Sequence, residues 1–301
     1  MIDSRQLRCL IAVAEEAHFG RAALRLGLAQ SALSGQIRRL EDNLGACLFE
    51  RGRRAAVRLT PFGAIFLEEA RATLDRMDRA ERIGRAAARG EAGPARLHYV
   101  FSAALSGILT EALKGVAGRL PLLHVNCVPM ETPEQLAALS DARADAGFLR
   151  PQDDYPPGVS ARIVHSERMI IAMSAAHRLA RQERLRCADL AGETFIIPQA
   201  ARSMGLPRFV QSLAQAGGFA TPPFIDCSDF LTAACIAASG GGVVLAPRSL
   251  TNMNIGGLCF RPLDDFEAGV DLALAWREPR PPIAAVILDV LGQPSPDRPH
   301  G

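Results

Sequence analysis

The stretch "AQSALSGQIRRLEDNLG", Ala29–Gly45, decides how the first part of this chain is read. Leu33, Ile37, Leu40 and Leu44 recur at i, i+4, i+7 and i+11, which on a helix draws one narrow apolar stripe. The opposite face carries Ser31, Ser34, Gly35, Arg38 and Asp42, with Arg39 on its flank. Upstream, Leu7, Leu10, Ile11 and Ala14 keep helical spacing. "GRAALRLG" then offers Ala22, Ala23 and Leu26 for packing and Gly27 as a C-terminal cap. Two short helices joined by a tight turn, the second with a polar and partly basic face, describe a helix-turn-helix. Its second helix lies in the DNA major groove, where serines and Gln30 reach base edges and arginines reach guanine or phosphate. Spacing alone also permits an ordinary solvated helix.

The adjoining segment favours DNA. "FERGRRAAVRLTPFG", Phe49–Gly63, sets Arg51, Arg53, Arg54 and Arg58 around two short β-like segments, the pattern of a hairpin wing over a phosphate backbone. Residues 1–60 hold ten arginines against six acidic residues, a net of +4. The whole chain is +2, so the other 241 residues carry −2. A basic head on a mildly acidic body suits a polyanionic partner.

The 301 residues predict two or three domains. No apolar run is long enough to span a membrane, and the N-terminus lacks the marks of a secretory signal, so no membrane partner is expected. Seven scattered cysteines without C-x-x-C or zinc spacing predict buried thiols in a reducing cytoplasm, with a Cys227–Cys235 redox pair as the alternative.

Thr60-Pro61 opens a helix running to about Arg89. Leu67, Ala70, Leu74 and Met77 follow 3-4-3 spacing along it, which reads as a dimerisation seam. "RGEAGPA" supplies a hinge, and beyond it strands and helices alternate, predicting α/β architecture with parallel sheets. "RLHYVFSAA", "LLHVNCVPM", "DAGFL", "RMIIAMS", "TFIIP" and "GVVLAP" are strand-like, and the proline-rich end of the chain reads as a disordered tail.

The first 65 residues resemble the LysR-type transcriptional regulators, carried by "Q-S-A-L-S-x-Q-I-R-R-L-E", "L-G-x-x-L-F-x-R" and "L-T-P-x-G" in that order and spacing. "DLAGETFIIP" and "AASGGGVVLAP" look like the family's effector domain. "ETPEQLAALSDARADAGFLR" looks closest to members that regulate aromatic-compound degradation. The resemblance implies a multidomain α and α/β chain: a winged helix-turn-helix over 1–60, a linker and dimerisation helix over 61–92, and a two-lobe periplasmic-binding-protein-like effector domain. Lobe I would span 93–166 and 269–293, lobe II 167–268, and the tail 294–301. It further implies a cytoplasmic homotetramer that binds and bends double-stranded promoter DNA, works with RNA polymerase, and responds to a small molecule between the lobes. Gln30, Ser31, Ser34, Arg38 and Arg39 would meet the groove, and Arg51, Arg53 and Arg54 the backbone. Three positions depart from the family pattern: Ala29 cannot cap the reading helix, Gly35 replaces a longer side chain, and His18 stands where serine is common.

No catalytic spacing is present: G-x-S-x-G, H-E-x-x-H and the P-loop are all missing, and six dispersed histidines form no metal cluster. The chain is therefore read as a non-enzyme without cofactor. A ligand is expected at strand-end loops, from Ser102, Ala103, Thr132, Phe148, Pro198 and Gln199. Ser102 and Thr132, each near a helix start, suit a carboxylate or act as plain N-caps; Phe148 and Pro198 offer apolar walls or plain core; Arg150 faces an anion or solvent.

Overall fold

The computed structural model describes residues 1–50, 57–199 and 205–292. It divides into two compact units, Met1–Ala88 and the chain from Arg89 onward.

The first unit is built from α1 (Ser4–Glu16), α2 (Phe19–Arg25), α3 (Gln30–Leu44) and α4 (Pro61–Ala88). Asp3 and Gln6 start α1 with a reciprocal capping box at 2.8 and 3.1 Å. Leu33, Ile37 and Leu40 are buried against Leu10, Val13 and Ala23, as the stripe predicts. The turn after α3 is held by Glu41, whose carboxylate accepts the Leu48 N–H at 2.7 Å. Phe49 bridges Leu59 in antiparallel sense and the Glu50 N–H donates to the Arg58 carbonyl at 2.9 Å, which forms the stem of the expected hairpin. Its tip, with Arg51, Arg53 and Arg54, lies outside the described residues.

Thr60 starts α4 by accepting the Gly63 N–H at 2.9 Å while donating to the Cys47 carbonyl at 2.8 Å. Gly63 is required there: a Cβ would stand 2.0 Å from the Leu48 carbonyl oxygen. The expected seam on α4 needs correction. Leu67 and Ala70 are buried in the head's own core and Leu74 packs beside them, so they are already spent on tertiary packing. Only Met77 of the four is exposed. The free apolar side chains of α4 are instead Phe62, Ile65, Met77 and Ile83. At roughly 100° per residue, Phe62, Ile65 and Ile83 share a face turned away from Leu67 and Ala70.

The second unit alternates as expected: β1 (Ala92–Tyr99), α5 (Phe101–Leu105), α6 (Ile108–Arg119), β2 (Leu122–Pro129), α7 (Thr132–Ser140), β3 (Ala146–Leu149), β4 (Val159–Ser174), β5 (Phe195–Pro198), α8 (Leu206–Ala216), β6 (Phe224–Cys227), α9 (Phe230–Ala238), β7 (Val244–Pro247), β8 (Leu258–Pro262), β9 (Gly269–Arg277) and α10 (Pro282–Leu291). Two readings change. "FSAAL" is a short helix, because the strand ends where the Val100 N–H pairs with the Phe148 carbonyl and the next amides bond back locally. The sheets are mixed: β1 runs parallel to β2 and β3, but β9 runs antiparallel to β3 and β4.

β4 serves both lobes. Val159–Arg168 pairs with β9 in lobe I, and Met169–Ser174 pairs with β7 and β8 in lobe II. Each lobe has its own core, around Leu97, Phe148, Leu274 and Ile287 in the first and around Ile171, Phe195, Val210 and Leu245 in the second. The glycine run before β7 is a helix-to-strand turn: Gly240 and Gly242 take φ of +90° and +149°, and a Cβ on Gly242 would lie 2.5 Å from the Thr194 carbonyl. The expected tail, 294–301, lies outside the described residues. No helix among the described residues is long and apolar enough to cross a membrane.

Candidate functional site

Two sites can be assembled, one in each unit. On α3, Gln30, Ser31, Ser34, Arg38 and Arg39 are all exposed, on the side away from the Leu33–Ile37–Leu40 stripe. Arg38 and Arg39 are in no ion pair among the described residues, so their charge is available to an external anion. Ala29 caps α3 only through its backbone, which leaves the first-turn N–H groups without a side-chain acceptor. Such amides suit phosphate oxygens. Nothing lies within 4 Å of a Cβ built on Gly35, so packing does not require glycine there. His18 caps α2: its Nδ1 accepts from the Gly20 and Arg21 amides at 2.9 and 3.2 Å. It fixes the start of α2, at the turn between α1 and α2.

In the second unit the expected ligand residues separate. Ser102 is the second residue of α5 and Thr132 the first of α7; both are buried, and neither caps its helix by side chain. Both hydroxyls accept from one residue at the end of β3. Arg150 gives its backbone N–H to Thr132 Oγ1 at 3.0 Å and a terminal guanidinium N–H to Ser102 Oγ at 2.6 Å. Its other terminal nitrogen donates to the Asp271 carbonyl at 2.9 Å. Sequence alone allows Arg150 an anion or solvent; it is 7% exposed, and its Nε is buried without a partner. No carboxylate forms an ion pair with it among the described residues. Burial depresses its pKa, opposed by the more distant Glu167, Glu131 and Asp271. A guanidinium nevertheless stays charged in a protein, and a buried, unneutralised charge is costly.

The apolar walls are revised. Ala103 and Phe148 are fully buried in the lobe I core and face neighbouring side chains instead of a ligand. Pro198 is buried at the end of β5 and Gln199 is exposed just beyond it. The rest of that loop, 200–204, lies outside the described residues. The lobes meet beside the arginine: Glu167 accepts the Ser249 N–H at 2.7 Å and its hydroxyl at 3.1 Å, and Asn252 donates to the Leu105 carbonyl at 2.8 Å. No local sequence pattern marks Glu167 or Ser249, which lie 82 positions apart.

Cys227 and Cys235, the alternative redox pair, are both free thiols. Burial pushes the Cys187 thiol up to about 12, and it also raises those of Cys9, Cys127 and Cys227, which disfavours thiolate chemistry. No cluster of three or more metal-ligating side chains occurs among the described residues.

Known proteins match this arrangement along the chain. The family model described as the bacterial regulatory helix-turn-helix protein, lysR family, matches residues 4–64, and the LysR substrate binding domain model matches residues 88–293. The HTH-type transcriptional regulator ClcR of Pseudomonas putida is 31% identical over 293 residues, covering 96% of this chain and 98% of that protein. The crystal structure of CbnR, a LysR family transcriptional regulator, superposes with a TM-score of 0.77 at 26% identity and covers 97% of this chain and 100% of CbnR. CbnR with its target DNA superposes at 0.73, also at 26% identity, over 96% of this chain and 98% of CbnR. The chain belongs to the LysR family: it is a DNA-binding transcriptional regulator with an effector-binding domain, and it is not an enzyme.

Proposed function

We propose, from that family membership, that the chain is a cytoplasmic regulator that binds and bends promoter DNA as a homotetramer, engages RNA polymerase, and is switched by a small carboxylate held between its effector lobes. Gln30, Ser31, Ser34, Arg38 and Arg39 meet the major groove, and Arg51, Arg53 and Arg54 meet the phosphates beside it. The exposed Phe62, Ile65 and Ile83 face of α4 supports self-association, since an apolar helical face on a long charged helix gains stability by pairing.

The observation that carries the ligand reading is the buried Arg150 with its unpartnered Nε between two hydroxyls. A carboxylate accepting from Nε gives the one guanidinium nitrogen without a partner an acceptor and neutralises the charge. The Ser102 hydroxyl accepts from Arg150, which leaves its own proton to donate to the ligand. The likeness of "ETPEQLAALSDARADAGFLR" to regulators of aromatic degradation favours an aromatic acid.

The test has two arms. Duplexes enriched from a random pool are titrated by fluorescence anisotropy at several salt concentrations. Affinity should fall steeply with salt, and Arg38→Ala should flatten the slope by about 1 if Arg38 meets a phosphate, or cost about 1–3 kcal/mol and relax one base position if it reads a guanine. Thermal shifts are then measured against aromatic and aliphatic carboxylates. Ligand at 100 times its Kd adds about 2.7 kcal/mol. Salt-independent DNA binding would sink the first reading. A stabilising carboxylate whose effect survives Arg150→Met would sink the second.

A further inference from the structure

A second concavity, of about 370 Å³, shares no lining residue with the Ser102–Thr132–Arg150 cluster. That volume falls within the range of small-molecule sites. Its walls combine two features. Met169, Ile170, Phe260, Pro262, Leu263 and Phe266 are the apolar part of its lining, and four arginines, Arg168, Arg184, Arg248 and Arg261, share it.

Those four charges are poorly matched. Among the described residues only Arg184 has an ion-pair partner, Asp264. Arg261 spends its nitrogens on the carbonyls of Gln182, Phe260 and Ala180, which orient the group without neutralising it. Arg168 and Arg248 are exposed and have no carboxylate partner among the described residues. An arginine set this dense beside two phenylalanines presents an anion site with a partly aromatic lining.

The position is also specific. Glu167 accepts from the amide and hydroxyl of Ser249, and the residues that follow it on β4, Arg168, Met169 and Ile170, line the pocket. The Arg248–Asn252 turn bonds Glu167 through Ser249 and lines the pocket with Arg248 and Thr251. The pocket thus adjoins the point where β4 passes from one lobe to the other.

We propose that this pocket is a second ligand site, taking an aromatic carboxylate with its anionic end on Arg168 and Arg248 and its ring on Phe260 and Phe266. A ligand there ties the crossover strand to the Arg248–Asn252 turn, whose Asn252 reaches the Leu105 carbonyl of lobe I. The site stands independently of the cleft reading.

The experiment is calorimetric titration of the full chain with 2-naphthoate. Arg168→Gln/Arg248→Gln should weaken this binding by roughly tenfold or more, as expected for lost hydrogen bonds to a charged group. Thr251→Trp, which fills the pocket from its exposed rim, should do the same without touching an arginine. Thr132→Val, in the cleft, should leave this binding class intact. 2-Naphthol should bind at least about tenfold more weakly, because it offers no carboxylate to the guanidinium groups. Inorganic phosphate should compete poorly, because it leaves the apolar part of the lining uncovered. The proposal is overturned if the wild type does not bind 2-naphthoate, if both pocket variants bind like the wild type, if Thr132→Val alone abolishes binding, or if phosphate displaces the ligand stoichiometrically. A failure of the cleft reading appears separately, as indifference of carboxylate thermal shifts to Arg150→Met.

Discussion

Two glycines of the DNA-binding unit should respond oppositely to the same added methyl group. Gly35 lies mid-helix on α3 with open space around its missing Cβ. Alanine there removes the backbone-entropy penalty of glycine, about 0.5–1 kcal/mol. Gly63 lies at the start of α4, where a Cβ would stand 2.0 Å from a backbone carbonyl oxygen. A flexible side chain could yield; a main-chain carbonyl moves only with the turn after α3. Overpacking costs roughly 1–3 kcal/mol, and a backbone obstacle puts Gly63→Ala near the upper end. For a unit of 88 residues, each kcal/mol moves the midpoint by about 4–8 °C. Gly35→Ala should therefore raise the head's Tm by about 2–8 °C, and Gly63→Ala should lower it by roughly 12–24 °C. The assay can isolate this unit within the full chain. Trp276, Tyr99 and Tyr155, the only tryptophan and tyrosines, all lie in the second unit. The head's transition is thus seen by far-ultraviolet circular dichroism and is silent in intrinsic fluorescence. A tolerated Gly63→Ala, or a destabilising Gly35→Ala, would refute the packing argument. If Gly35 also serves close approach to DNA, its alanine variant should be the more stable protein and the weaker specific binder.

Single contacts give further expected outcomes. Ser102→Ala should lower the midpoint seen by Trp276 fluorescence, since it leaves a terminal N–H of the buried Arg150 unpartnered at a cost of about 1–3 kcal/mol. His18→Ala should cost about 1 kcal/mol by unfolding, while His18→Ser should retain most of that stability because a hydroxyl can also accept from the first-turn amides. Glu41→Ala should destabilise the head by roughly 1–3 kcal/mol by orphaning the Leu48 amide, with Glu41→Gln largely restoring it through its carbonyl oxygen. For Cys187 the folded pKa lies above its unfolded value of 9.0. Its contribution to stability is thus full below about pH 9 and declines as pH rises toward about 12, because the unfolded thiol ionises first. Cys187→Ala should flatten the alkaline loss of stability in pH-dependent unfolding, and a thiol reagent at neutral pH should label the exposed Cys47 and Cys235 well before Cys187.

Much of the head is legible in the sequence because its determinants are local. The stripe of Leu33, Ile37 and Leu40 selects the buried face of α3, and that choice alone exposes Ser31, Ser34 and Arg38. Helix starts at Asp3 and Thr60 are likewise written within three residues of chain. The alternation of β1 to α9 is readable for the same reason, although β6, β8 and β9 are missing from the strands it suggests; β6 has three exposed residues of four and so no alternating apolar signal. The tertiary structure decided whatever depends on pairs distant in sequence. It turned the expected seam at Leu67 and Ala70 inward, where they share the head's core with Leu7, Leu10 and Val13 of α1. It drew Phe148 and Ala103 into the core. It joined Ser102, Thr132 and Arg150, up to 48 positions apart, into one hydrogen-bonded site. Periodicity fixes which way a side chain points from its own element; only the packing of one element on another decides what it meets there.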